Sequence, residues 1–477
     1  MKKEVKKRSI IAALVSVLVV IILFVSLKNN YFATLLSVCF VAFIILSCNY
    51  EKNILMLIFL ICFFVFLIGR PFVIEVMGYS RYSAITLSEE TKNQLYSIMT
   101  ISLISVLFGY YVSKHIKLEF QRKQKLPLKD DRILSIRNIS KNMSIFLYVF
   151  SIIENIMRLV FIKHVGYTAS YTMDFDYGLP FGLHNLAIVA PVALMLFLAT
   201  LPSKREVIFP LFLFLTSNLI SSMAGNRFEI IACVLFLVVY GVWRSAIGEK
   251  SWITSKHLLY LVLLMPIVVS LLQSMVYWRD NIESDNNVGP IIGFMYGTGG
   301  SSDVIGAVIQ YGDLATRDDV LYSFGGIWRS LNGNAVSRFL GVGKSYKVQT
   351  IEYANEAHSL GASITYYFHP RGYLSGYGLG SSYIAELYHD FSTIGVVVGN
   401  ILIGLVIGLF GGLKKGRIII NYLCLFLVVL LLRLPRDSFD YPFISLVSLK
   451  NIFMFVIILL IANRARFSGR IKAKGSV

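Results

Sequence analysis

Apolar residues gather in twelve long stretches, at roughly 9–27, 31–48, 53–69, 94–113, 143–163, 184–200, 207–223, 229–246, 258–276, 392–411, 418–432 and 443–461. A helix needs about 20 apolar residues to cross the hydrocarbon core of a bilayer. The pattern therefore predicts an all-α polytopic integral membrane protein with about twelve transmembrane helices. Most connections are short, and one is not: between Tyr277 and Phe391 the chain runs for more than a hundred residues. That segment mixes aromatic residues and Gly with apolar helical patterns, as at 304–309 and 384–387, and lacks the bias of a linker. Short helices folded over the membrane surface are expected there. The chain thus divides into 1–276 with nine helices, 277–391 as the large loop, and 392–477 with the last three helices.

Charge orients these helices. Basic residues concentrate on the cytoplasmic side of short connections, and here every second connection is basic: 51–52, 114–137, 204–205, 244–256, 414–417 and the 464–474 tail, starting from the basic N-terminus. Both termini are accordingly expected in the cytoplasm. The connections 28–30, 70–92, 164–184, 224–227, the large loop and 433–441 are expected outside. The first apolar stretch is too long for a signal-peptide core and has no small-residue cleavage site after it, so it reads as a retained helix. The net charge of +18 lies mostly in short segments beside apolar runs. These act as topology signals and contacts to anionic membrane lipid, and they argue against nucleic acid as a partner.

Other chemistries are excluded by what the loops lack. All five cysteines, Cys39, Cys48, Cys62, Cys233 and Cys424, sit inside apolar runs, so no disulfide framework or cysteine-based metal site is expected. No Walker loop, H-E-x-x-H, nucleophile elbow or Asp-x-Asp site is present, and neither a cofactor nor a metal is expected.

The candidate residues are chiefly arginines at expected external positions. Arg70, Arg158, Arg227, Arg279, Arg371 and Arg436 are the cations assigned to a phosphate-bearing substrate, with Arg317, Arg329, Arg338 and Arg433 nearby in sequence. Guanidinium stays charged and offers a planar donor fork that matches phosphate oxygens, although any one arginine serves equally well as a lipid-phosphate contact. Glu154 and Arg158 stand four apart on one predicted span, where they either neutralise each other or line a cavity. Glu229 complements the positive end of its helix. His358 and Glu356 are the candidate general bases, with His369 next. Glu386 and Asp390, four apart, either bind sugar hydroxyls or solvate their helix, and Ser381 or Ser382 is expected to cap it.

The segments FLIGRPF at 66–72, AGNRFE at 224–229, EAHSLGASITYY at 356–367 and GLGSSYIAELYHDFSTIGVVVGN at 378–400 together resemble the Wzy-type O-antigen and oligosaccharide repeat-unit polymerases. The likeness runs from the third helix to the end. It implies a metal-independent membrane glycosyltransferase of GT-C-like architecture in the bacterial cytoplasmic membrane. Its implied substrate is a glycan on undecaprenyl pyrophosphate, transferred to the non-reducing end of a lipid-linked repeat unit of O antigen or capsule, and a chain-length regulator is admitted as a further partner. Pyrophosphate is already a good leaving group, so fixed arginines can stabilise it while a histidine or carboxylate takes the acceptor proton. An O-antigen ligase shares donor and topology and differs only in acceptor. A lipid-linked oligosaccharide flippase is the other alternative, although transporters usually show two related halves and short loops.

Overall fold

The computed structural model describes residues 2–79, 85–122, 130–173, 183–248, 252–280, 289–333, 337, 341 and 343–474, with the side chains of 2–12, 117–122, 130, 255, 276–280 and 465–474 outside that description. Among the described residues all regular structure is helical. Nine of these helices are long and apolar enough to cross a membrane: Asn30–Ser47, Tyr50–Met77, Glu89–Ile116, Asp131–Val165, Lys204–Met223, Phe228–Ala246, Lys256–Met275, Tyr383–Leu409 and Ile418–Arg436. Tyr441–Val447 and Leu449–Arg464, bent by 41° at their junction, make a tenth if they form one span. The shorter apolar helices Ala13–Ser26 and His184–Ala199 fall on the other expected stretches. The second of these is interrupted at Val189, just ahead of Pro191, whose ring nitrogen cannot donate to the helical ladder. The chain is a multi-pass membrane protein.

The chain forms two compact units. The first comprises Met1–Arg122, Ser284–Gly411 and Leu431–Ile444. Its spine is the pair Glu89–Arg122 and Tyr383–Leu409. Helices in lipid gain little by hiding apolar surface from each other, so close packing and hydrogen bonds must hold them. Gly404 and Gly408, one turn apart, meet this need. A Cβ at Gly404 would strike the Val106 carbonyl, and one at Gly109 on the facing helix would strike the Ile401 carbonyl. The close approach brings polar groups together: Ser102 Oγ and Tyr383 Oη both donate to Asn400 Oδ1, at 2.9 and 2.7 Å, and Asn400 Nδ2 donates to the Val396 carbonyl at 2.7 Å. All three residues are fully buried.

Helical geometry fails within the second spine helix at Phe391 and Ser392, the latter at φ +53° and ψ −152°, a backbone region that favours glycine. Residues 383–390 ahead of this break form a short platform on which the large-loop segment is mounted. That segment contains the helices Pro290–Thr298, Ser301–Ala315, Gly325–Asn332, Ile351–Glu356, Leu360–Phe368 and Pro370–Leu374. Its first two helices are tied down by Arg70, whose Nη1 pairs with Asp303 and whose Nε donates to the Tyr296 carbonyl at 2.8 Å, with the guanidinium 4.7 Å over the Tyr296 ring.

The second unit comprises Lys123–Glu283, Gly412–Leu430 and Ser445–Val477. Ala190–Ala199 lies buried at its centre. The carbonyls at the end of that helix find side-chain donors: Arg137 Nη2 reaches Thr200 O at 2.9 Å, Asn421 Nδ2 reaches Ala199 O at 3.0 Å, and the buried Arg244 reaches Pro202 O at 2.8 Å. Orphan carbonyls at a helix end are thus satisfied without water.

The glycine contact generates a test. Gly404→Leu must drive a side chain into backbone, and we expect a loss of about 3 kcal/mol or of the folded form. Gly297→Ala, where a Cβ meets nothing within 4 Å, should be neutral. Thermal unfolding of the detergent-purified variants measures both.

Candidate functional site

The site is assembled in the first unit by three buried acids. Asp390, whose side chain is wholly buried, accepts the Tyr322 amide on Oδ1 at 3.1 Å and the Ser323 amide and hydroxyl on Oδ2 at 2.7 and 2.5 Å. His389 Nδ1 donates to Asp390 Oδ1 at 2.9 Å. Glu386, one turn earlier, accepts from Ser381 Oγ at 2.8 Å and from the Phe439 amide at 2.8 Å. Asp440, beside Phe439, accepts the Ile327 amide at 2.8 Å. Platform, 439–440 segment and 322–327 turn therefore form a closed circuit of carboxylate-to-amide bonds. A buried carboxylate is tolerable only when so bonded, and such charge-assisted bonds are among the stronger ones. Burial raises the Asp440 carboxyl above its ordinary range, opposed by the Ile327 amide and the nearby Arg329.

The circuit presents the Gly325–Asn332 helix to the turn at 357–358. Gly325 is required there because a Cβ would collide with the His358 carbonyl. Arg329 Nη1 donates to the Ala357 and His358 carbonyls at 2.9 and 2.7 Å. His358 is left-handed, at φ +50°, a conformation that costs a non-glycine residue about 1–3 kcal/mol and that surrounding contacts must impose. Its imidazole stacks on Trp328, with centroids 4.0 Å apart and planes 9° from parallel. Burial, and then the positive charge of Arg317 and Arg329, hold the imidazole below its usual pKa of 6.5. It is therefore neutral at neutral pH and able to accept a proton, with guanidinium charge beside it.

The other expected site residues fall as follows. Glu356 pairs with Lys344 at 2.7 Å on the surface, and that hydrogen-bonded pair holds its carboxyl below the ordinary range. Arg371 is exposed and makes no side-chain hydrogen bond or ion pair with the described residues. Arg436 is exposed, 5.4 Å over the Phe66 ring, and Arg70 is engaged by Asp303 as above. In the second unit, Arg227 Nη1 donates to Gln273 Oε1 at 3.2 Å, and Arg158 is half-buried. Glu154 does not take Arg158 as its hydrogen-bonding partner: its Oε1 lies 2.6 Å from His184 Nδ1, thirty residues on. Arg338 lies outside the described residues, as does the side chain of Arg279. Glu386 and Asp390 are buried and held by backbone amides, so neither solvates its helix. Ser382 occupies the cap position with its hydroxyl buried and without a partner, while Ser381 serves Glu386 instead.

Three residues of this constellation escaped the sequence reading: Trp328, His389 as a ligand of Asp390, and Asp440. The glycine pair before Trp328 and Arg329 was the one visible signal, because adjacent glycines ahead of a short helix mark close backbone approach. Among the described residues no group of three or more His, Cys, Asp or Glu side chains is placed to hold a metal ion.

No curated protein and no solved structure matches the chain. The model of the family described as O-antigen polysaccharide polymerase Wzy matches residues 9–466, nearly the whole length. With its membrane-spanning helices, the chain thus belongs to the O-antigen polysaccharide polymerase Wzy family.

Proposed function

We propose that the protein extends a surface polysaccharide by taking a growing glycan from undecaprenyl pyrophosphate and joining it to the non-reducing end of a lipid-linked repeat unit at the outer face of the cytoplasmic membrane. The family match over residues 9–466 carries this reading. In it the chain crosses the membrane twelve times in a GT-C-like arrangement, with 1–276 and 392–477 spanning and both termini cytoplasmic. Residues 277–391 stand outside.

The reaction we assign is a metal-independent displacement. The acceptor hydroxyl oxygen bonds to the anomeric carbon of the donor glycan, the bond from that carbon to the pyrophosphate oxygen breaks, and the hydroxyl proton passes to His358. The pyrophosphate leaves as an anion, for which we assign Arg371 and Arg436 as stabilising cations. From charge patterning along the sequence we also assign Arg158, Arg227 and Arg279 to carrier phosphate. What supports His358 over Glu356 is the depressed basicity of the imidazole, which keeps it neutral, against a Glu356 carboxylate already paired with Lys344. Glu386, Asp390 and Arg70 become positioning residues in this reading, because each is engaged by loop backbone or by Asp303.

Three outcomes are expected. A strain lacking the gene should show single repeat units on their final acceptor in a gel of surface polysaccharide, with the ladder restored by the gene. Loss of even the single capped unit, with lipid-linked polymer accumulating, would indicate a ligase instead. His358→Ala should insert normally and polymerise about 10²- to 10⁴-fold more slowly, the usual contribution of a general base. Because the proton-accepting form must be neutral, activity should fall only below the ordinary histidine range, and Arg317→Gln, by removing a repelling charge, should move that acid limb to higher pH in a pH–rate profile.

A further inference from the structure

Beside the His358 turn, in the first unit, lies an open cleft of about 440 Å³, within the range of roughly 300–1,000 Å³ typical of small-molecule sites. Its walls come from the end of the Ser301–Ala315 helix, the Ile351–Glu356 and Leu360–Phe368 helices, and Pro370. The lining combines the tyrosines 322, 366 and 367 with Asn355, Ser363 and Arg317.

We propose that this cleft is a saccharide subsite that holds a neutral sugar ring of the glycan undergoing transfer; it rests on the polymerase reading and deepens it. A pyranose presents two kinds of surface at once: an apolar face of ring hydrogens, and a rim of hydroxyls that require donors and acceptors. Flat aromatic faces suit the first, and tyrosine adds a polar tip at low conformational cost. Tyr367 is 44 % exposed, and its ring is braced edge-on by Phe368 at 5.1 Å, which is in turn braced by Tyr311 at 5.1 Å. Tyr366 is similarly braced by Tyr373 at 5.8 Å. The exposed Tyr367 ring and the half-buried Tyr366 ring, braced in this way, form a stacking platform that needs little further ordering by a ligand.

The charge of the cleft selects against an anionic ligand. Arg317 is the one lining cation among the described residues, and that guanidinium is paired with Asp319 at 2.5 Å and donates to the Asn355 carbonyl at 3.0 Å. Phosphate recognition would need open cationic donors, whereas sugar hydroxyls are also met by neutral donors and acceptors. Asn355 and the Tyr322 hydroxyl offer these, with Tyr322 Oη already oriented by the Arg317 amide at 3.2 Å, and Ser363 Oγ, which donates to the Ala354 carbonyl at 2.7 Å, keeps an acceptor. Arg317 also influences the His358 imidazole, so a ring seated here lies in the neighbourhood of the proposed base.

The test uses full-length protein in nanodiscs and, as probe, the lipid-free repeat-unit oligosaccharide released from the strain's own polysaccharide. Binding is read by saturation-transfer NMR and titration, alongside the gel ladder from cells carrying each variant. Tyr367→Ala, at an exposed position whose truncation opens no core, should weaken binding roughly tenfold and shorten the ladder, while Tyr367→Phe keeps the ring and both behaviours. Equal affinity and an unchanged ladder for Tyr367→Ala would overturn the subsite and leave the polymerase reading standing. So would absence of probe binding to a wild-type protein that restores the ladder. Failure of the wild-type gene to restore any ladder would instead remove the polymerase reading, and the subsite with it.

Discussion

Three carboxylates placed out of reach of water decide the form of the loop region. Ionised acids in such surroundings are strongly unfavourable unless bonded to donors, and backbone amides at 322, 323, 327 and 439 supply them. Breaking one of these bonds would leave a buried amide without its acceptor and a buried carboxyl oxygen with one donor fewer, so the segments are held in one register. Two of the acids ride on the platform at 383–390, and that platform is fixed by the glycine-mediated contact of its own helix with Glu89–Arg122. Membrane packing is in this way converted into the placement of a loop.

The consequence for chemistry is a histidine in a conformation it would not adopt alone. The left-handed turn at His358, the stack on Trp328 and the two hydrogen bonds from Arg329 each depend on the Gly325–Asn332 helix, which the acids anchor. Burial beside arginine charge then keeps the imidazole unprotonated. A neutral acceptor next to cations is what a transfer to a sugar hydroxyl with a pyrophosphate leaving group requires.

Much of the fold was legible in the sequence because membrane helices must satisfy their own backbone and be apolar over a fixed length, so that composition alone locates them. Nine helices among the described residues, or ten with the bent pair, are long and apolar enough to span, against the twelve expected. Pro191 interrupts the stretch that ends at Ala199, and the last stretch bends between Val447 and Leu449. The site was less legible, since its organisation depends on pairs far apart in the chain. Asp440 with Ile327 and Asp390 with Tyr322 are separated by 113 and 68 residues, and no spacing rule links them. Glu154 illustrates the same limit: the i, i+4 pattern pointed to Arg158, and the hydrogen bond goes to His184. His358 was visible as a residue, but its stacking and depressed basicity arise from Trp328, Arg317 and Arg329, which only tertiary structure brings to it.

The central claim is that this chain by itself joins lipid-linked repeat units. The most direct test is incubation of the purified protein in lipid with the undecaprenyl pyrophosphate-linked repeat unit as the sole substrate, followed by mass spectrometry of the lipid-linked products. The account predicts a series of products increasing by whole repeat units, with release of undecaprenyl pyrophosphate in equal number to the linkages formed. Recovery of the single unit unchanged, with folded protein and intact substrate, would contradict it.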